Sequence, residues 1–186
     1  MGDESLSDRV KELERQSERG DELGTVETGQ PYMPKSKRQD HETPWWLFDL
    51  LDLEFGFTVD AAASSYNAKL ERYWTEEIDG LAQDWTDESI FINPPFAVAD
   101  LRRWTERAWL ATRQAGTTVV MVVPVKADQD WWHRFAIKTE IRFIQGRVTF
   151  EGNTGTFPGP IAILVFNRVI RPKNVSIRVP PKSKRK

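Results

Sequence analysis

The stretch that decides the fold is Ile90-Phe91-Ile92-Asn93-Pro94-Pro95-Phe96, with the segment that leads from it to Thr117-Thr118-Val119-Val120-Met121-Val122-Val123. Ile90 to Ile92 reads as a short apolar strand. Pro94 ends it, because proline has no N–H to give to a ladder. Val98, Leu101, Trp104, Ala108 and Ala111 then recur on one helical face, and Gly116 stops the helix. The run from Thr117 to Val123 is nearly all β-branched and offers no polar face. Such a strand needs cover on both sides, as strands of a parallel sheet have. Strand, helix and buried strand in succession imply a doubly wound α/β sheet.

The neighbouring segments extend that unit. Asp40 to Leu53 reads as a helix, with Thr43-Pro44 placing proline in its first turn. Phe55 to Val59 reads as a short strand ending at Asp60. Gln129 to Ile137 reads as a helix. Ile141 to Ile144, Val148 to Phe150 and Ile161 to Phe166 read as strands separated by glycine-rich turns. No helix separates these closing strands, so at least one is expected to run antiparallel. The predicted architecture is α/β: a mostly parallel sheet with an antiparallel C-terminal strand and helices on both faces.

Composition bounds the rest. The 186 residues suit one domain with tails. Cysteine is absent, which excludes a disulfide scaffold, thiolate metal sites and a cysteine nucleophile. With 2 histidines, no histidine-built metal centre is expected. No apolar run approaches the length that spans a bilayer, and the acidic start has no signal-peptide pattern, so a cytoplasmic setting is expected. The net charge of −2 hides a polarity along the chain. Met1 to Gln30 carries 9 acids against 4 bases, and residues 1–39 read as a disordered acidic segment before the domain at 40–168. Arg168 to Lys186 holds 8 bases and no acid, and 169–186 reads as a basic tail. Lys182, Lys184 and Arg185 there are either a solvated end or an arm that tracks phosphates.

Ligands of open α/β sheets sit beyond the carboxyl ends of strands, which is where Asn93-Pro94-Pro95-Phe96 falls. The Asn93 side-chain oxygen can accept one hydrogen of a planar amino group, and the Pro94 carbonyl the other. Pro95 stiffens the turn with Pro94 and removes a competing N–H donor. Phe96 offers a face on which a nucleobase or another conjugated amide stacks. A rigid strand exit with Phe96 in the core is the alternative reading. Likewise Thr43-Pro44 could be a plain helix start, Asp60 a strand-end cap, and Asp84-Trp85 an exposed turn with a partly buried indole.

Asn-Pro-Pro-Phe after an apolar strand resembles the catalytic motif of S-adenosylmethionine-dependent amino-methyltransferases. Before it, in order, stand Thr43-Pro44-Trp-Trp-Leu-Phe48, Phe57-Thr-Val-Asp60-Ala-Ala-Ala-Ser64, Asn67-Ala-Lys69, Arg72-Tyr-Trp-Thr75, Asp79-Gly-Leu81 and Asp84-Trp85. This ordered set, over about residues 40–168, resembles the phage-encoded DNA N6-adenine methyltransferases of the Dam type. The resemblance implies a Rossmann-like class I methyltransferase sheet, S-adenosylmethionine as cofactor, double-stranded DNA as partner, and a role in protecting phage DNA from restriction. It makes Asn93, Pro94, Pro95 and Phe96 catalytic. It lays Thr43 and Pro44 against the methionine end of the cofactor, makes Asp60 the first cofactor-motif acid with Ala61 and Ala62 beside it, and puts Asp84 and Trp85 near the cofactor adenine. The ribose acid falls among Glu76, Glu77 and Asp79. Arg142, Arg147 and Gly146 to Phe150 resemble a late motif near the target base, and Arg147 is a candidate phosphate contact. No metal is required, and a monomer is assumed.

The loop Asp60-Ala-Ala-Ala-Ser-Ser65 departs from the glycine-rich pattern of the wider methyltransferases. Glycines let backbone approach a pyrophosphate; S-adenosylmethionine has no phosphate. Three other readings remain at this point: methylation of cytosine N4, methylation of a protein glutamine, and a non-catalytic DNA-binding protein on a decayed methyltransferase fold.

Overall fold

A computed structural model describes residues 41–113, 116–169 and 174–178. The acidic segment and Lys182, Lys184 and Arg185 lie outside them. Helix α1 (Trp45–Phe55) is followed by strand β1 (Val59–Asp60), a 3-10 turn at Gly80–Ala82, and strand β2 (Ser89–Ile92). Helix α2 (Val98–Ala111) leads to β3 (Thr118–Pro124). Helix α3 (Asp130–Arg134), a 3-10 turn at Ala136–Lys138, and strands β4 (Glu140–Gln145), β5 (Ile161–Asn167) and β6 (Asn174–Arg178) follow.

The six strands form one sheet in the order β1-β2-β3-β5-β4-β6. β1, β2 and β3 pair in parallel, with Val59 opposite Ile90 and Ile92 opposite Met121. β5 runs antiparallel to both β3 and β4, and β6 runs parallel to β4. Five strands therefore share a direction and β5 opposes them. The reversed strand was expected last; β6 follows it, drawn from residues read as tail.

The buried strand β3 explains the layers. Val119, Met121 and Val123 project to one face, into a cluster with Leu101, Trp104 and Ala108 of α2 and Trp131 and Trp132 of α3. Val120 and Val122 project to the other, against Leu47, Phe48 and Leu51 of α1. A strand has a side-chain period of two, so one Val-rich run serves both layers. Helices thus cover both faces.

Three expectations need correction. The strand predicted from Phe55 shrinks to Val59–Asp60, because α1 runs on through Phe55 and closes at Gly56 in the left-handed conformation (φ 56°). Val148 to Phe150 is not a strand: Val148 and Phe150 are buried in the α1-side cluster, and the neighbouring pairing is a single bridge between Glu42 and Glu151. The adjacent pairs Trp45-Trp46 and Trp131-Trp132 each lead one to expect one member facing outward; Trp45 does so, but Trp131 and Trp132 are both buried.

Candidate active site

The parallel strands β1 and β2 end side by side, at Asp60 and at Ile92 before Asn93. A small cleft opens there, lined by Thr43, Asp60, Ala62, Asn67, Lys69 and Asn93. Four residues expected from the sequence (Thr43, Asp60, Ala62 and Asn93) therefore meet in one place. Pro44 caps α1 next to Thr43, with its carbonyl accepting from the Leu47 and Phe48 amides. The helix-start reading of Thr43-Pro44 and the site reading are both true of the geometry.

Asp60 is held from both sides. Its amide donates to the Arg72 carbonyl and its carbonyl accepts from Trp74, so residues 72–74 cover the outer edge of β1. Its carboxylate accepts from the Lys69 amide at 3.0 Å. Burial pushes the carboxyl up from 3.8 to about 6, against the pull of the Lys69 and Ala62 amides and the Lys69 charge. The Lys69 ammonium lies 4.2 Å from the centre of the Trp45 ring. Burial lowers its pKa, while Glu42, Glu151 and Asp60 hold it up. Glu42 is shifted upward by its own burial. A buried carboxylate and a half-buried one, Asp60 and Glu42, facing one ammonium suit a ligand that brings its own cations.

Asn93 is 6 % exposed, and its Nδ2 donates to the His41 carbonyl at 2.5 Å. That bond settles which end of the amide is committed: the nitrogen is taken up by backbone, so the oxygen is the end that can accept from a ligand. Pro94 is buried, Pro95 exposed and Phe96 half-buried. The Phe96 ring stacks on the His41 imidazole at 5.0 Å and 25°, and meets Phe150 and Phe157 edge-on. The alternative of a Phe96 sunk in the core does not hold, although its inner edge does touch both core clusters.

The remaining expected residues fall elsewhere. Ala61 is buried under β2, its amide bonded to the Phe91 carbonyl. Trp85 does not line the cleft; it is 1 % exposed, stacks on Trp104 at 6.2 Å, and donates from Nε1 to the Gly80 carbonyl at 2.9 Å. Asp84 is exposed and accepts from the amide and hydroxyl of Thr86, which hold its carboxyl below the usual range. Asp79 is exposed at φ 52°, with its side chain accepting from the Leu81 amide. Arg142 forks onto Glu54 at 2.5 and 2.6 Å and also holds Glu140. Arg147 is exposed.

Sequence reasoning placed Gly80 in the ordered motif but gave it no role. A Cβ there would overlap the Ala61 carbonyl oxygen, so glycine lets the 79–82 turn lie against the loop after β1. Sequence reasoning missed His41, Phe150 and Phe157 as neighbours of Phe96. Asn67 and Lys69 carried a signal, as part of an ordered motif, but no role. Asn67 takes the Ser64 amide at 2.7 Å and so shapes the alanine loop.

A fold of this class, with an Asn-Pro-Pro-Phe strand exit beside a buried strand-end acid, agrees with the family comparison. The family model for DNA N-6-adenine-methyltransferase (Dam) matches residues 30–177, and the chain belongs to that family. It is also similar to the DNA N-6-adenine-methyltransferase of Haemophilus phage HP1 (strain HP1c1), at 29 % identity over 100 residues. That match takes in 53 % of this chain and 57 % of the relative, little more than half the length of each.

Proposed function

We propose that the protein transfers a methyl group from S-adenosylmethionine to the N6 atom of an adenine flipped out of double-stranded DNA. The observation that carries the reading is the meeting of Asn93 and Asp60 in one cleft, with the Asn93 side-chain nitrogen held by the His41 carbonyl. Family membership supports the target atom. The sheet, with β5 reversed between parallel neighbours, suits the Rossmann-like class I methyltransferase architecture.

The residues that line the cleft suit the chemistry of that cofactor. The Thr43 hydroxyl is buried with no hydrogen-bond partner among the described residues. The Asp60 carboxylate is buried and raised, and a cation beside it would restore its charge. Ala62 gives the small wall that a phosphate-free ligand permits. Thr43, Asp60, Ala62 and Asn67 would hold the cofactor there, with Pro44 and Ala61 next to Thr43 and Asp60 in the chain; Asp79, Asp84 and Trp85 stay the candidates that the family resemblance offers for its ribose and adenine. Bound S-adenosylmethionine supplies an electrophilic methyl group.

The rest is the work of this chain. The N6 lone pair of adenine is delocalised into the ring, which makes it a poor nucleophile. Hydrogen bonds from N6 to the Asn93 oxygen and the Pro94 carbonyl localise that pair and stabilise the positive charge that develops. Asn93 is no base, so the proton leaves to water after transfer. Holding N6 in line with the methyl group does the remainder. A base in a duplex cannot enter such a site, so it must flip out and stack on Phe96. Arg147 and the basic residues Lys182, Lys184 and Arg185 are the proposed phosphate contacts.

The test incubates the protein with unmethylated DNA and methyl-labelled S-adenosylmethionine, and identifies the labelled nucleoside. N6-methyladenine supports the reading. N4-methylcytosine keeps the mechanism and moves the target. No label in DNA and no cofactor binding by calorimetry would mean a decayed enzyme.

A further inference from the structure

The His41 side chain has no place in the reaction described above, yet it sits in the middle of the site. Its imidazole lies nearly parallel to Phe96, 5.0 Å away, with Phe157 edge-on at 5.2 Å and 83° and Phe150 tilted at 5.2 Å. Three phenyl rings thus form a slot, and a flat nitrogen heterocycle is stacked inside it. The slot is open to the surface on the Phe96 and Phe157 side, because both rings are half-buried. Its inner end meets the amide of Asn93 through the His41 carbonyl.

The occupant is not at ease there. His41 Nδ1 is buried and has no hydrogen-bond partner among the described residues. A polar ring nitrogen in an apolar box costs stability that a purely apolar ring would not. The same slot would suit a nucleobase, whose polar edge can turn to the Asn93 oxygen and the Pro94 carbonyl while its faces stack.

We propose that the Phe96, Phe150 and Phe157 rings form the target-base slot, and that the His41 imidazole occupies it in the free protein until the flipped adenine displaces it. The inference rests on the adenine methyltransferase reading and adds the walls of the base site and its resident competitor. The bond to Asn93 is made by the His41 backbone carbonyl and not by the ring, so plugging the slot and orienting the amide are separable.

The chain has 2 histidines, so the imidazole resonances of His41 and His133 are readily told apart, His133→Gln serving for assignment. His133 lies at the surface, with its Nε2 on the Ala127 carbonyl. The free protein should show His41 ring protons displaced by the surrounding rings, and Phe96→Ala should reduce the displacement. A duplex carrying the site mapped by sequencing the methylated product is then added, with S-adenosylhomocysteine. His41 should move towards free-imidazole positions with adenine at the target, and stay put with an abasic target. His41→Ala should bind the adenine duplex about fivefold more tightly, and His41→Phe should not. A His41 ring that stays stacked with adenine present, or that moves equally with the abasic duplex, overturns the slot while leaving the reaction intact. If no DNA base is methylated at all, the reading fails first, and the slot falls with it.

Discussion

Replacing Asp60 by asparagine separates what the carboxylate costs the fold from what it does for a ligand. The side chain is 3 % exposed, and its pKa rises from 3.8 to about 6, chiefly through burial. That difference corresponds to about 3 kcal/mol. An acid whose folded pKa is raised destabilises the protein once ionised. The cost is absent below about pH 4, grows as pH climbs towards about 6, and is complete above it. Asparagine removes the charge but turns an NH2 group towards the Lys69 or Ala62 amide, which returns about 1 kcal/mol of the gain. The net expectation for Asp60→Asn is a stabilisation of about 2 kcal/mol at about pH 8, or about 4–8 °C in Tm. At about pH 4 the variant should show no advantage. Urea unfolding followed by tryptophan fluorescence at the two pH values measures this. Calorimetry on the same samples should show S-adenosylmethionine binding weakened by about tenfold or more, through loss of the buried anion aimed at its cations. A variant no more stable than the parent at about pH 8 would refute the burial argument. Unchanged affinity would remove Asp60 from the cofactor site.

Three further substitutions probe separate parts of the site. Asn93→Ala should abolish methyl transfer while leaving cofactor affinity within about twofold, because the lost acceptor acts on the base; near-normal turnover would end the assignment. Phe96→Ala should lower kcat/KM for DNA by about 1–3 kcal/mol, the worth of one stacked base, read from initial rates over a range of DNA concentrations. Gly80→Ala should destabilise the protein by about 1–3 kcal/mol in a thermal melt, because the added methyl meets the Ala61 carbonyl and the backbone must yield.

The sheet was legible wherever burial on both faces left one pattern possible. Thr117 to Val123 could only be a central strand, and it lies between β2 and β5. Asp60 and Asn93 were legible for a related reason: polar residues that terminate buried strands have few places to go but the carboxyl edge of the sheet. Edge elements were not legible. β6 carries Asn174 and Val175 exposed on a chain rich in bases, and an edge strand with polar side chains looks like a solvated tail. Val148 and Phe150 have strand spacing, yet that alternation serves core packing, with Phe157 closing the loop onto the Val148 carbonyl at 2.7 Å. Trp85 and Gly80 were read by motif order alone. The fact that an indole nitrogen would hold the Gly80 carbonyl depends on a loop approach that no local pattern encodes.

The five residues 41–45 serve both halves of the proposed site, and this predicts coupling between the ligands. Thr43 lines the cofactor cleft, the His41 carbonyl holds Asn93, and the His41 ring fills the slot beside Phe96. The Glu42 carbonyl accepts from the Glu151 amide at 2.9 Å, and the Trp45 amide donates to the Glu151 carboxylate at 3.2 Å, so the segment is tied to the loop that carries Phe157. A ligand that engages Thr43 fixes the backbone that turns the Asn93 amide and leaves the His41 ring free to rotate out of the slot, so the amide is set before the base arrives. Saturating S-adenosylhomocysteine should therefore raise affinity for target DNA by about fivefold or more, and DNA should raise affinity for S-adenosylhomocysteine by the same factor, because linkage is reciprocal. Fluorescence anisotropy with a labelled duplex gives the first number and calorimetry the second. Equal DNA affinity with and without S-adenosylhomocysteine would show that the strap transmits nothing, and that the two ligands meet only at the transferred methyl group.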